Sequence, residues 1–117
     1  MSSQPAPSLH LPDADLRLGS LYVSPSRRLV EGPAGTQHLQ PQVMAVFDCL
    51  AKQCGRVVTR RALFESCWGN APVGDDSLNR ALSAIRQALL RVGASDLAIE
   101  TIPRSGYRLA LRARAPI

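Results

Sequence analysis

A chain of 117 residues with 14 basic and 9 acidic side chains, a formal net charge of +5, is long enough for one domain with a modest core. No run is apolar and long enough to span a membrane, and no signal peptide opens the chain. The charge is uneven: residues 1–40 cancel, 41–75 carry +1 and 76–117 carry +4, with seven Arg against Asp76, Asp96 and Glu100. Clustered positive charge favours a polyanion, of which nucleic acid is the commonest, with an anionic membrane surface as the competitor. Thirteen of the fourteen cations are Arg, which suits bidentate phosphate and guanine contacts but equally follows from a GC-rich genome.

Residues 1–14 read as a polar, Pro-bearing tail without structure. Short strands follow at Leu16–Leu18 and Leu21–Val23, broken by Gly19-Ser20, then turn chemistry at Ser24-Pro25-Ser26. Arg27 to Glu31 is a third strand, Gly32–Gly35 a turn, and Thr36 to Leu39 a fourth strand. Together they predict a four-stranded antiparallel sheet with little charge surplus.

Pro41 suits the first position of a helix, and Val43, Val46, Phe47, Leu50 and Ala51 recur on one face. Gly55 reads as the left-handed cap that ends it. Arg56-Val57-Val58 is a short extended link. Thr59 is a good N-cap for a second helix with Ala62, Leu63, Ser66 and Cys67 toward the core, stopped by Gly69. Cys49, Cys54 and Cys67 lack metal-site or redox-motif spacing, so they read as reduced core thiols, with a redox sensor as the alternative.

The third helix, residues 76–91, carries most of the functional signal. Asp75, Asp76 or Ser77 is placed to cap it. Leu78, Leu82, Ile85 and Leu89 form one apolar stripe at about 100° per residue. Arg80, Ser83, Ala84, Gln87 and Arg91 fall opposite, flanked by Asn79 and Arg86. Asn, Arg, Ser and Gln carry the donors and acceptors that read base edges in a major groove, although an ordinary solvated surface helix has the same pattern. After Gly93, strands at Ala98–Ile102 and Tyr107–Leu111 flank a Pro103-Arg104-Ser105-Gly106 turn and make a hairpin. The fold class is therefore α+β, a winged helix-turn-helix: four-stranded sheet, three helices and a hairpin wing over residues 15–111, followed by a tail or the start of a linker at 112–117.

Three segments in register carry a family resemblance. Gly55-Arg56-Val57-Val58-Thr59-Arg60-Arg61-Ala62-Leu63 with Cys67-Trp68-Gly69, then Ile85-Arg86-Gln87-Ala88-Leu89, then Glu100-Thr101-Ile102-Pro103-Arg104-Ser105-Gly106-Tyr107-Arg108-Leu109 resemble the winged-helix effector domains of the OmpR/PhoB family. The wing is most similar to the ToxR/CadC branch. The resemblance implies that the third helix enters the major groove, with Asn79, Arg80, Ser83 and Ala84 where family members contact bases and Arg86 where an Arg usually grips phosphate. It places Arg104, Ser105 and Tyr107 where the wing meets the DNA backbone or adjacent minor groove, and Thr59 and Trp68 at positions that often face phosphates. Asn70, Ala71, Pro72, Val73, Gly74 and Asp75 correspond to the loop that meets RNA polymerase in activators. Two departures matter. Ala84 stands where some members have a base-reading Arg, and Gln40 replaces the usual Ser or Thr cap before Pro41, a loss of about 1 kcal/mol at most.

The implied function is sequence-specific binding of double-stranded DNA for transcriptional control, with protomers pairing on half-sites. The alternative is a winged-helix interaction module acting on another regulator or on RNA polymerase without touching DNA. An enzyme is not expected: His10 and His38 lie far from any acid or cysteine cluster, and no phosphate loop, metal-ligand set or nucleophile motif occurs, so neither a metal, a cofactor nor a small-molecule substrate is expected. Fourteen residues leave no room for a receiver domain ahead of the sheet. The expectation is a cytoplasmic protein, either a short stand-alone regulator or the cytoplasmic part of a longer inner-membrane one that continues past Ile117.

Overall fold

The computed structural model describes residues 15–69, 71 and 73–112. The expected N-terminal tail, Asn70, Pro72 and residues 113–117 lie outside the described residues. Four short strands form an antiparallel meander in sequence order: β1 (Leu16–Leu18), β2 (Leu21–Ser24), β3 (Leu29–Gly32) and β4 (Gly35–His38). Leu21, Val23 and Val30 point inward and are almost fully buried, while Glu31 is exposed, the alternation of a sheet with one wet face. The third strand begins two residues later than the sequence suggests. Pro25–Arg27 instead make one turn of 3-10 helix, closed by Arg28 N donating to Pro25 O at 3.0 Å with Arg28 at φ 54°. Pro25 in the first turn has the φ such a turn needs and no N–H to leave unpaired. The fourth strand pairs Gly35–His38 rather than Thr36–Leu39, because Gly32 and Gly35 pair across a two-residue turn, and Leu39 enters the core just past the strand.

Helix α1 (Pro41–Lys52) buries Met44, Val46, Phe47, Leu50 and Ala51, with Val43 half-buried. Gln40 makes no side-chain cap bond. Gly55 does not cap this helix, contrary to the sequence reading. The helix ends at Lys52 and tightens through Gln53 N to Leu50 O at 3.1 Å. Gly55 does have the expected positive φ, 89°, but its N–H donates to Leu109 O at 2.8 Å, which steers the chain onto the hairpin. Helix α2 (Arg60–Trp68) starts as expected, with Thr59 Oγ1 accepting from Ala62 N at 3.0 Å, and stops at Gly69 with φ 60°. Leu63 is its fully buried residue; Ala62 and Cys67 are half-buried, and Ser66 faces solvent rather than the core. Nine residues give too few turns for a wide apolar stripe, so only one position reaches the centre.

Helix α3 (Asp75–Arg91) is capped by the backbone of Gly74, not by a side chain; Asp75 and Asp76 lie inside its first turn, where their charges favour the helix dipole. Leu78, Leu82, Ile85 and Leu89 are buried as the periodicity predicts, widened by Ala81 and Ala88. Each buried Leu or Ile contributes about 1.5–3 kcal/mol. These side chains meet Phe47 and Leu50 of α1, Leu63 of α2 and Leu109 of the hairpin in one core. Strands β5 (Leu97–Ile102) and β6 (Gly106–Leu111) form the hairpin in continuous register from Leu97↔Leu111 to Ile102↔Gly106.

Besides the Gly55–Leu109 bond, backbone and side-chain contacts at two levels fix the hairpin to the rest. At its base, buried Asp96 accepts from Ser20 N at 2.9 Å and from Ser20 Oγ, joining the β1–β2 turn to the start of β5. At its middle, Val58 and Tyr107 exchange both backbone hydrogen bonds, 2.8 and 2.9 Å, so the link before α2 acts as a short third strand against β6.

Candidate nucleic-acid interface

Burying the Leu78–Leu82–Ile85–Leu89 stripe leaves the opposite edge of α3 in solvent. Asn79, Arg80 and Ser83 are exposed there. Arg80 takes part in none of the ion pairs found among the described residues. Further along the same face, Ala84 and Gln87 with Arg91 line a crevice of about 290 Å³ against Gln37, His38 and Gln40. Ala84 is half-buried in it and Gln87 exposed.

Arg86 lies on the other flank. Its Nη2 donates to Ile99 O at 3.0 Å and to Thr101 Oγ1 at 3.3 Å, so its guanidinium braces α3 against β5. The hairpin then carries Arg104 to the tip. Pro103 and Arg104 occupy the centre of a turn closed by Ser105 N donating to Ile102 O at 2.9 Å, and Arg104 sits at φ 66°. A positive φ at the second central position normally selects Gly or Asn. Here Pro103 pre-sets the first position and the hairpin register imposes the second. Arg104 and Ser105 are exposed, and Arg104, like Arg80, is outside every ion pair among the described residues. Arg108, further along, is neutralised by Glu100 at 2.6 Å.

Tyr107 is placed differently from Arg104 and Ser105. Only 8 % exposed, it packs at the root of the wing, and its hydroxyl accepts from Arg60 Nη1 at 2.5 Å. Thr59 is exposed, and its Oγ1 is occupied by the capping bond. Trp68 is half-buried with its ring 5.4 Å from that of Phe64, on the far end of α2 from Thr59. In the connection to α3, Ala71 and Gly74 are exposed, Val73 is half-buried, and Asp75 pairs with Arg60 at 3.1 Å.

Arg60 is the residue that sequence reasoning passed over. It touches α2, α3 and β6 at once, through Phe64, Asp75, Asn79 and Tyr107. The Arg60–Phe64 spacing of i, i+4 was a usable local signal; the contacts to Asp75 and Tyr107 depend on tertiary placement. The three cysteines are free and half-buried, and burial pushes the Cys67 thiol up to about 12 and the Cys49 thiol above its usual value.

With this geometry in place, residues 35–109 match the family model described as "Transcriptional regulatory protein, C terminal". The chain belongs to this OmpR/PhoB-type family. Among curated proteins it is 32% identical over 71 residues to the transcriptional regulator HilA of Salmonella typhi, a match that spans 61% of this chain and 13% of HilA. Among solved structures, the DNA-binding domain of E. coli CadC superposes with a TM-score of 0.72 at 24% identity, covering 81% of this chain and 90% of CadC's domain. The Klebsiella pneumoniae RstA DNA-binding domain, solved in complex with the RstA box, gives a TM-score of 0.68 at 27% identity over 82% of this chain and 96% of that one. The OmpR/PhoB-type fold expected from the three motifs is therefore the fold observed, and the family match makes the chain a DNA-binding domain of the transcriptional-regulator type.

Proposed function

We propose that this domain reads double-stranded DNA by laying the exposed edge of α3 in a major groove while the wing tip grips the adjacent minor groove or backbone. The observation that carries the reading is the arrangement, on separate elements, of two exposed arginines outside every ion pair among the described residues. Arg80 stands on the solvent-facing side of a helix whose opposite side is buried, and Arg104 at the tip of the neighbouring hairpin. A helix edge of Asn79, Arg80 and Ser83 offers base-edge donors and acceptors; a hairpin tip with one Arg and exposed backbone offers phosphate contacts. Ala84 and Gln87 supply apolar and amide contacts from the next turn. Arg86 contributes by holding α3 against β5, with its remaining N–H groups available to phosphate.

The same proposal extends to assembly. One small domain buries little surface, so pairs of protomers on spaced half-sites supply the affinity a regulator needs. The segment 70–75 at the start of α3 is the candidate contact for RNA polymerase. A DNA-binding role places the domain in the cytoplasm, in a stand-alone protein or in the cytoplasmic part of a longer regulator.

Two substitutions separate reading from gripping. Arg80→Ala should cost about 1–3 kcal/mol on the preferred sequence and relax preference at one base pair, as loss of a bidentate guanine contact does. Arg104→Ala should weaken all sequences alike and make the salt dependence shallower. Unchanged affinity and preference in Arg80→Ala would sink the assignment of α3 as the reading element.

A further inference from the structure

The side chain of Arg60 leaves the first turn of α2 and enters the cleft between α3 and the wing. Its Nη2 lies 3.1 Å from Asp75 Oδ1, in the first turn of α3. Its Nη1 donates to the Tyr107 hydroxyl on β6 at 2.5 Å and lies 3.5 Å from Asn79 Oδ1, one turn further along α3. The guanidinium carbon is 5.7 Å from the centroids of both the Phe64 and Tyr107 rings, so the planar group sits within cation–π reach of each. A second polar link between α3 and the hairpin, Arg86 to Ile99 and Thr101, is on β5, the opposite strand of the wing.

We propose that Arg60 is a positioning residue for DNA recognition: it locks the N-terminal turn of α3 to the root of the wing, and sequence discrimination depends on that lock. This rests on the DNA-reading role of α3 and the wing given above. The reading edge at Asn79–Arg80 and the gripping tip at Arg104 belong to separate elements. They meet a duplex in register only if their separation is fixed before contact. Arg60 and Arg86 together fix it at both strands of the hairpin. The charge of Arg60 is already committed to Asp75, and its donors to Tyr107 and Asn79. It therefore contributes geometry to the interface and not a released counterion. Lysine cannot replace it, because a single ammonium lacks the two separate nitrogens with which Arg60 bridges Asp75 and Tyr107.

The test uses two duplexes: one enriched from a random-sequence pool by the unmodified protein, and a shuffled version of it. Fluorescence anisotropy is measured over a range of salt for the unmodified protein, Arg60→Lys and Arg60→Met. The expected result for both variants is about a tenfold loss on the enriched duplex, equivalent to about 1.4 kcal/mol. Affinity for the shuffled duplex and the slope of log K against log salt should stay unchanged. A slope shallower by about 0.9 in Arg60→Met would make Arg60 a phosphate contact and overturn the proposal. So would full activity in Arg60→Lys. Should Arg60→Met fold poorly, Tyr107→Phe, which removes one hydroxyl, replaces it. Combined with Arg60→Lys it should add no further loss, and additive losses would overturn the lock. If the unmodified protein enriches no sequence at all, the DNA reading itself fails, an outcome separate from any behaviour of the variants.

Discussion

Gly106 should be the least replaceable residue of the wing. A Cβ built on it would stand 2.1 Å from Val58 O and 2.8 Å from Val58 C and Thr59 Cα. All three are backbone atoms, so no side-chain rotation relieves the clash. Its φ of +151° adds strain for any L-residue. In Gly106→Ala, β6 must withdraw from the 57–59 link, and the paired Val58–Tyr107 hydrogen bonds, 2.8 and 2.9 Å, are lost. Two buried backbone hydrogen bonds at about 1 kcal/mol each, plus about 1–3 kcal/mol of backbone strain, give a loss of about 3–5 kcal/mol. For a domain of this size each kcal/mol lowers the melting midpoint by about 4–8 °C, so a fall of at least about 12 °C should appear in a circular-dichroism melt. Gly55→Ala is the internal control. Gly55 has φ +89°, but a Cβ there would meet no atom within 4 Å, so only strain, about 1–2 kcal/mol, is expected. If Gly106→Ala melted no lower than Gly55→Ala, the close approach of β6 to the link would not be what holds the wing.

The caps and the thiols supply two more tests. Gln40 precedes Pro41 with φ −67° and ψ 156° and makes no cap bond, so Gln40→Ser should stabilise the domain by about 0.5–1 kcal/mol in urea titration; no gain would mean that another group already satisfies the first turn of α1. Cys67, pushed up to about 12 by burial, stays a thiol in the folded state where the unfolded chain would ionise. Its contribution to stability is complete below the unfolded value and is lost as pH rises toward the folded one, so iodoacetamide at mildly alkaline pH should alkylate Cys49 and Cys67 far more slowly in the native protein than in urea. Equal rates would show that the α1–α2 contact opens freely.

Local chemistry explains which parts of this fold were legible in the sequence. The stripe Leu78–Leu82–Ile85–Leu89 has one periodicity and one outcome, and the Thr59 cap, the Gly69 stop and the β5–β6 hairpin each rest on neighbours within a few residues. Sequence reasoning failed where two local solutions compete. Pro25-Ser26-Arg27 could turn or form a strand, and the pairing of Ser24 with Leu29 decided for a 3-10 turn. Gly55 had the conformation of a helix cap, but Leu109, more than fifty residues away, took its N–H. Asp75 and Asp76 had capping side chains, yet Gly74 holds that position by backbone alone.

The interface divides along the same line. The exposed edge at Asn79, Arg80 and Ser83 follows from the helix wheel, and the exposure of Arg104 from the turn. For Arg60 the sequence held only the i, i+4 spacing to Phe64, because its partners Asp75, Asn79 and Tyr107 lie fifteen or more positions away and meet only after the core forms. Tyr107 shares strand parity with fully buried Leu109, so the alternation of β6 itself points it inward, while its bond to Arg60 depends on tertiary placement.

Joint reading of DNA sequence by α3 and the wing can be checked in one experiment. Fluorescence anisotropy compares the protein's binding to the duplex from upstream of its own gene with binding to a scrambled duplex, at several salt concentrations. Tighter binding to the native fragment, weakening steeply as salt rises with a slope that counts the phosphate contacts, is the predicted result. Equal affinity for both duplexes would contradict specific readout at that site, and no binding even at low salt would leave the fold acting through protein partners instead.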